Sequence, residues 1–239
     1  MATYVLVHGA WHGAWCWQRV TPLLEAAGHR VETVDLPGHG DNPAPASEMT
    51  LDANAATVAD RVSAADGPVV LVGHSMGGIS ITQAAERVPE RISTLAYVCA
   101  FLPGDGQSLP QLADGDPIGL VLPNLIVDEA AGLCTVAEPA LRDVFYNTCT
   151  AEDAAWASAQ LVPESLAATG APVSITEERA GSVPRVYLEC VHDHAIGIDK
   201  QREMWAARPC SKVVTLEADH SPFLSATPVL AAELLALAP

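Results

Sequence analysis

The sequence predicts an α/β fold: a mainly parallel sheet of about six strands, helices on both faces, and one α-helical insertion. Three observations carry this. Short apolar runs alternate with amphipathic stretches through the first 100 residues, and again after about residue 184. The runs are almost unbroken in Val, Leu, Ile and Ala, as strands buried on both faces require. Between the two stretches the rhythm changes, and prolines punctuate it.

Taken in order, Tyr4–His8 reads as a buried strand and residues 17–27 as a helix ended by Gly28. Arg30–Val34 is a second strand, and residues 51–65 have helical spacing. Val69–Val72 is a strand that runs directly into Gly73-His74-Ser75-Met76-Gly77-Gly78. Ile79–Val88 is helical up to Pro89, and Leu95–Ala100 is a strand. From Pro103 to about Pro184 the pattern offers helical pieces (129–137, 139–146, 151–160) and no convincing strand. The sheet pattern resumes with a strand at Arg185–Val191, a helix at 199–207, a strand at Lys212–Glu217 and a helix at 226–238. The expected division is a core of residues 1–102 and 183–239, with 103–182 as a helical cap over one sheet edge.

Composition narrows the functions. Hydrophobic residues make up 49% of 239, enough for a sizeable core. The formal charge is -17, from 12 Lys+Arg against 29 Asp+Glu. A surface this acidic repels phosphate backbones and anionic lipid, which excludes nucleic acid and membrane surfaces as partners. Residues 101–182 alone hold 12 acidic and 2 basic residues. The start of the chain has no signal-peptide pattern, so a cytoplasmic location is expected. The six cysteines match no zinc spacing and no C-x-x-C pattern, and read as small buried apolar residues. His192-Asp193-His194 lacks a third ligand at metal spacing, so no metal and no cofactor are expected.

Gly73-His74-Ser75-Met76-Gly77 is a G-x-S-x-G pattern between a strand and a helix. A Ser hydroxyl is a weak nucleophile and needs exposure to a base. A sharp strand-to-helix turn provides that exposure, and only glycine fits beside it. The base should be a later histidine at the carboxyl edge of the sheet. His220 follows the strand Lys212–Glu217 by a short loop, and Asp193 follows the preceding strand. Ser75 as nucleophile, His220 as base and Asp193 as orienting acid is the economical assignment. Asp199, on the next helix, and Asp219, adjoining His220, are less well placed. Oxyanion donors are expected at the amides of Met76 and Ala10. Gly9, Trp11, His74, Leu102, Leu122, Trp156 and Phe223 are the expected wall of the substrate site, with Leu120, Val121, Leu125, Ile126, Phe101 and Phe145 as further apolar candidates. His8 and His12 are expected to fix the loop by hydrogen bonds.

The runs HGAWHGAWCW (His8–Trp17), DLPGHG (Asp35–Gly40), GHSMGG (Gly73–Gly78) and ADH (Ala218–His220) together resemble one branch of the α/β-hydrolase superfamily. That branch holds the plant methylesterase and hydroxynitrile lyase group and related bacterial esterases, pyrethroid-hydrolase-like enzymes among them. The resemblance covers residues 3–103 and 184–238, and touches the cap only in its position and helical character. It implies the same triad, Ser75, Asp193 and His220, and the same donors, Ala10 and Met76. The lyases of the group carry Thr at the position of Gly9, Glu-Ser-Cys at His74-Ser75-Met76, and Lys at Ser221. All three positions here match the esterases. The resemblance therefore implies a serine carboxylesterase, and the apolar candidates with the few basic residues of the cap favour a neutral, largely apolar ester. A lyase or perhydrolase-type use of the triad, or a low-turnover ligand receptor, is the alternative. The sequence is compatible with a homodimer and does not specify one.

Overall fold

The computed structural model describes residues 1–238. The chain begins with β1 (Thr3–Val7), a 3-10 turn at Ala14–Trp17, α1 (Thr21–Ala26), β2 (Arg30–Val34), α2 (Leu51–Ala64), β3 (Val69–His74), α3 (Gly77–Arg87) and β4 (Ile92–Val98). An insertion follows, with α4 (Leu109–Ala113), β5 (Leu125–Asp128), β6 (Leu133–Val136), α5 (Leu141–Phe145), α6 (Ala151–Ser158), β7 (Glu164–Ser165) and α7 (Leu166–Gly170). The chain ends with β8 (Arg185–Cys190), α8 (Ile198–Ala207), β9 (Lys212–Leu216), α9 (Pro222–Ser225) and α10 (Thr227–Leu235).

Six strands pair in parallel in the order β2-β1-β3-β4-β8-β9. The central strands β1 and β3 are buried at every residue, while the edge strand β2 is mostly half-buried and the other edge strand, β9, is mostly exposed. Alternation along each strand splits the core in two. Tyr4, Leu6, Val70, Val72 and Leu188 face one side, packed with Trp17 and Leu24 and with Leu230 and Leu234 of α10. Val5, Val7, Leu71, Leu95 and Tyr187 face the other, packed with Val58 and Val62 of α2, Ile81 of α3 and Met204 of α8. Hence the strands lack a polar face, and the apolar runs of the sequence are nearly continuous. No helix among the described residues is long and apolar enough to cross a membrane.

The insertion departs from its helical expectation. β5, β6 and β7 form a small antiparallel sheet, so residues 129–137 are a turn and a strand rather than a helix. Two local features set the hairpin. The Asp128 carboxylate accepts the Ala131 amide at 3.0 Å. Gly132 then takes φ 69°, a conformation that favours glycine. The helices expected at 139–146 and 151–160 are present as α5 and α6.

Several contacts fix the insertion to the loops that leave the sheet. The Leu120 amide donates to the His194 carbonyl at 2.7 Å, and the Gly197 amide to the Asp116 carboxylate at 2.7 Å. Glu164 of β7 faces His39 of the β2–α2 loop at 3.3 Å, with both side chains almost fully buried. Burial opposes charge on that ring, but Glu164 outweighs it and holds the His39 pKa above the ordinary histidine value.

Candidate active site

β3 ends at His74 and α3 begins at Gly77, so Ser75 and Met76 make the whole turn between them. Ser75 lies at φ 53°, in the left-handed region where side chains are strained. The surrounding glycines have steric reasons. A Cβ on Gly77 would stand 2.6 Å from the His8 carbonyl oxygen, and one on Gly73 would stand 2.8 Å from the Gly77 backbone. A Cβ on Gly78 would overlap the Phe101 carbonyl. The turn holds its shape through the Ser75 carbonyl, which accepts the Gly78 amide at 3.0 Å and the Phe101 amide at 3.1 Å.

His220 stands on the loop after β9, with its Nδ1 2.8 Å from Asp193 Oδ2. Both side chains are buried. Asp193 is itself tightly held. Its Oδ1 accepts the amides of Ala195 and Ile196 at 2.7 and 2.8 Å, and its Oδ2 also accepts Gln201 Nε2 at 3.2 Å. With these donors on both of its oxygens, the carboxylate is held in one orientation towards the His220 ring. Gln201 is a residue the sequence analysis did not single out. It bonds the carbonyls of Cys190 and Ile196 as well, and so clamps the β8–α8 loop. The competing acids are elsewhere. Asp199 starts α8. Asp219 accepts the amides of Thr148 and Ser221, the Ser225 hydroxyl and the Cys149 thiol.

The main chain of His220 is also anchored. Its carbonyl accepts His74 Nε2–H at 2.7 Å and the Cys99 thiol at 3.5 Å. Burial, reinforced by His220 and His12, keeps the His74 pKa well below the ordinary histidine value, so this donor is a neutral ring. His74, Cys99 and His220 form a group of potential metal ligands, with ligand atoms within 4.8 Å of one another. His74 and Cys99 already donate to the His220 backbone.

The loop after β1 is fixed by two more neutral histidines. His8 Nδ1–H donates to the Gly9 carbonyl at 2.7 Å, while its Nε2 accepts the Leu36 amide at 3.1 Å. His12 Nδ1–H donates to the Ala10 carbonyl at 2.8 Å, and its Nε2 accepts the Tyr146 hydroxyl at 3.0 Å. Burial depresses both rings, His12 to about 3. The expected loop-fixing role of these residues matches their bonding. The fixed loop brings Ala10 beside Ser75 and Met76. Neither the Ala10 nor the Met76 amide donates to an acceptor among the described residues.

Ala10, Ser75, Met76 and His220 line one cavity of about 290 Å³. Its upper wall comes from the insertion, chiefly Leu109, Val121, Leu122, Leu125, Phe145 and Leu166. The wall is apolar apart from the Ser75–His220 end, Thr169 and Asp116.

A family model described as the alpha/beta hydrolase family matches residues 4–233. The chain belongs to the alpha/beta hydrolase family. Among curated relatives of this hydrolase, Methylesterase 9 of Arabidopsis thaliana is 33% identical, over 100% of this chain and 98% of that one. Among solved structures, polyneuridine aldehyde esterase superposes with a TM-score of 0.88 at 30% identity, covering 99% of both chains. A pyrethroid hydrolase from Sphingobium faniae JZ-2 superposes with a TM-score of 0.88 at 29% identity, covering 98% of this chain and 95% of that one.

The hydrolase cavity corrects much of the expected wall. Trp11 and Leu122 line it, as do Val121, Leu125, Phe101 and Phe145. Gly9, His74, Leu102, Trp156 and Phe223 lie outside it. Gly9 lies directly behind Ser75, where a Cβ would come within 2.6 Å of the Ser75 Cβ. His74 and Phe223 pack on each other beneath the site, ring centres 5.1 Å apart. Leu102 belongs to the core on the α2–α3 side of the sheet. Trp156 packs edge-on against Trp15 at 5.3 Å. Leu120 and Ile126 also lie outside, and Ile126 is exposed. The lining residues that the sequence did not point to include Leu109 and Leu166, from the insertion whose fold was not readable, and Ile196, from the loop between β8 and α8.

Proposed function

We propose that this hydrolase is a serine carboxylesterase that cleaves a neutral, largely apolar ester through an acyl-enzyme. One observation carries the reading. Ser75, strained out of its turn, shares an apolar cavity with His220 and with two amides that have no acceptor. In this reading residues 103–182 are a cap that closes the cavity over the core.

Ser75 Oγ attacks the ester carbonyl carbon and passes its proton to His220 Nε2. The amides of Ala10 and Met76 hold the resulting oxyanion, each donor contributing about 3 to 4 kcal/mol in comparable sites. The tetrahedral centre collapses and the C–O bond to the alcohol breaks. The leaving oxygen takes the proton from His220, which leaves an acyl group on Ser75. A water then attacks the acyl carbon and gives its proton to His220. The second collapse frees the acid and returns the proton to Ser75 Oγ. Asp193 fixes the ring tautomer and stabilises the imidazolium that forms.

The test is covalent. A fluorophosphonate should add one equivalent to the protein, mapped by peptide mass to Ser75, and abolish turnover of a p-nitrophenyl ester. Label on any other residue, or an intact protein without ester turnover, overturns the reading.

Substrate charge has its own expectation. The cap segment holds 12 acidic and 2 basic residues, and Asp116 reaches the cavity wall. A neutral ester should therefore exceed a matched anionic ester in kcat/KM by about tenfold at low salt. Raising ionic strength to about 0.5 M should narrow that gap, because exposed charges are screened within a few ångströms. Equal rates for the pair at low salt would count against this.

A further inference from the structure

A second cavity of about 140 Å³ adjoins the first, roughly half its volume. Its wall is formed by Thr135, Val136, Leu141, Leu161, Val162 and Pro163, with Ser158 at the rim. Trp11 is the one residue that lines both cavities. The two also meet along β6, where Cys134 lines the first cavity and Thr135 and Val136 the second.

Trp11 is held there against its own preference. Its φ is 63°, a conformation that a large aromatic residue rarely adopts. Strain of this kind persists only where neighbours enforce it, and it concentrates at functional sites. Beyond the histidines that fix the loop, Trp11 itself is held by contacts from the insertion. The indole Nε1–H donates to the Cys134 carbonyl at 3.0 Å, the Trp11 carbonyl accepts the Val162 amide at 3.0 Å, and the ring rests on Phe145 at 5.7 Å. Trp11 is buried and borders both cavities.

We propose that Trp11 is the partition that sets the acyl-chain length this site accepts, and that the second cavity is a subsite for the distal end of a long apolar acyl chain. The proposal rests on the esterase reading above. In that reading His220 faces the leaving oxygen, so the alcohol half lies on the His220 side. The acyl half then turns towards the oxyanion loop, where Trp11 follows Ala10 directly. With the indole in place, a chain that fills the first cavity stops at the ring. With the indole removed, the two spaces join, and the distal methylenes enter a wall of Val136, Leu141 and Val162. Glycine suits position 11, since it takes φ 63° without strain.

The experiment compares the wild type with Trp11→Gly and Trp11→Phe on p-nitrophenyl esters of two to sixteen acyl carbons. Trp11→Gly is expected to raise the long-to-short ratio of kcat/KM by at least about tenfold, the scale of a few added methylene contacts. Trp11→Phe keeps a smaller aromatic wall and should shift the ratio in the same direction by less. It stands in if the glycine variant does not fold. A second readout uses labelling rates for alkyl fluorophosphonates of the same range of chain lengths, which need no turnover. If the wild type labels at Ser75 but cleaves no ester, the esterase reading fails, and the labelling profile still judges the partition. An unchanged chain-length profile in both variants, with labelling intact, overturns the proposal.

Discussion

Replacing Ser75 with alanine is expected to lower p-nitrophenyl ester turnover by at least about a thousandfold, with a full loss nearer a millionfold. The expectation comes from the division of labour proposed for the site. The Ala10 and Met76 amides, the cavity and His220 all survive the change, so residual electrostatic and binding assistance remains. Only the attacking oxygen is gone. Alanine keeps the Cβ that fits the turn, and Ser75 Oγ makes no hydrogen bond within the described chain that the fold would miss. The thermal midpoint should therefore stay within a few degrees of the wild type, which separates lost chemistry from lost structure. Survival of more than about a thousandth of the activity would mean that another group attacks the ester. Pre-steady-state kinetics give a second check: the wild type should release a burst of p-nitrophenol equal to one site, and the variant none.

The second large effect is on stability in mild acid. His8, His12 and His74 are fully buried, and burial, reinforced by repulsion from neighbouring histidines, chiefly His39 and His220, holds each pKa below the ordinary histidine value of 6.5. The sign follows directly. Below pH 6.5 the unfolded chain binds three protons that the folded chain refuses, so acid favours unfolding. Each such group costs about 1.4 kcal/mol per pH unit, or about 4 kcal/mol per unit for the three together. A typical folded margin of about 5 to 15 kcal/mol is then mostly gone one to three units below pH 6.5. His39 acts in the opposite sense. Its raised pKa makes the pairing with Glu164 fully effective below pH 6.5, and that contribution fades as pH climbs through the folded value. Urea midpoints should therefore peak near neutral pH, fall steeply towards pH 5 and fall gently on the alkaline side. A midpoint that stays flat from pH 7 to pH 5 would show that these rings are not excluded from protonation.

The parts of the molecule that could be read from the sequence share a physical reason. Parallel strands buried on both faces leave apolar runs, nearly continuous in β1 and β3 and shorter in β4 (Leu95–Val98) and β8 (Val186–Leu188). The nucleophile turn leaves glycines because backbone passes within contact of Gly73, Gly77 and Gly78. The His220 and Asp193 positions follow from chain order and the carboxyl edge of the sheet. The hairpin at 125–136 was lost to an ambiguity. Four-residue strands around an Ala-rich turn carry too little alternation to separate strand from helix. The cavity wall was harder still. Phe223 and Leu102 are apolar and adjacent to the site in sequence, yet they face the core, and nothing in composition distinguishes the two directions. Gln201 was invisible because a glutamine on a helix carries no pattern. Its importance lies in four bonds that only the folded loop assembles.

Asp219 gives the insertion a consequence for protein engineering. The residue beside it is His220, and its own carboxylate accepts the Thr148 amide and the Cys149 thiol from the insertion. The same carboxylate accepts the Ser221 amide and the Ser225 hydroxyl on the His220 side. One side chain thus serves as a common fastener for the segment that shapes the cavity and the loop that carries the histidine. Segment exchange with a relative is therefore not a clean graft. A donor insertion that lacks a matching turn at residues 147–149 would leave Asp219 buried with half its donors missing, and the disturbance would reach the neighbouring imidazole. Recombination breakpoints for such chimeras belong outside this fastener, with the 147–149 turn and the 218–225 segment inherited from the same parent.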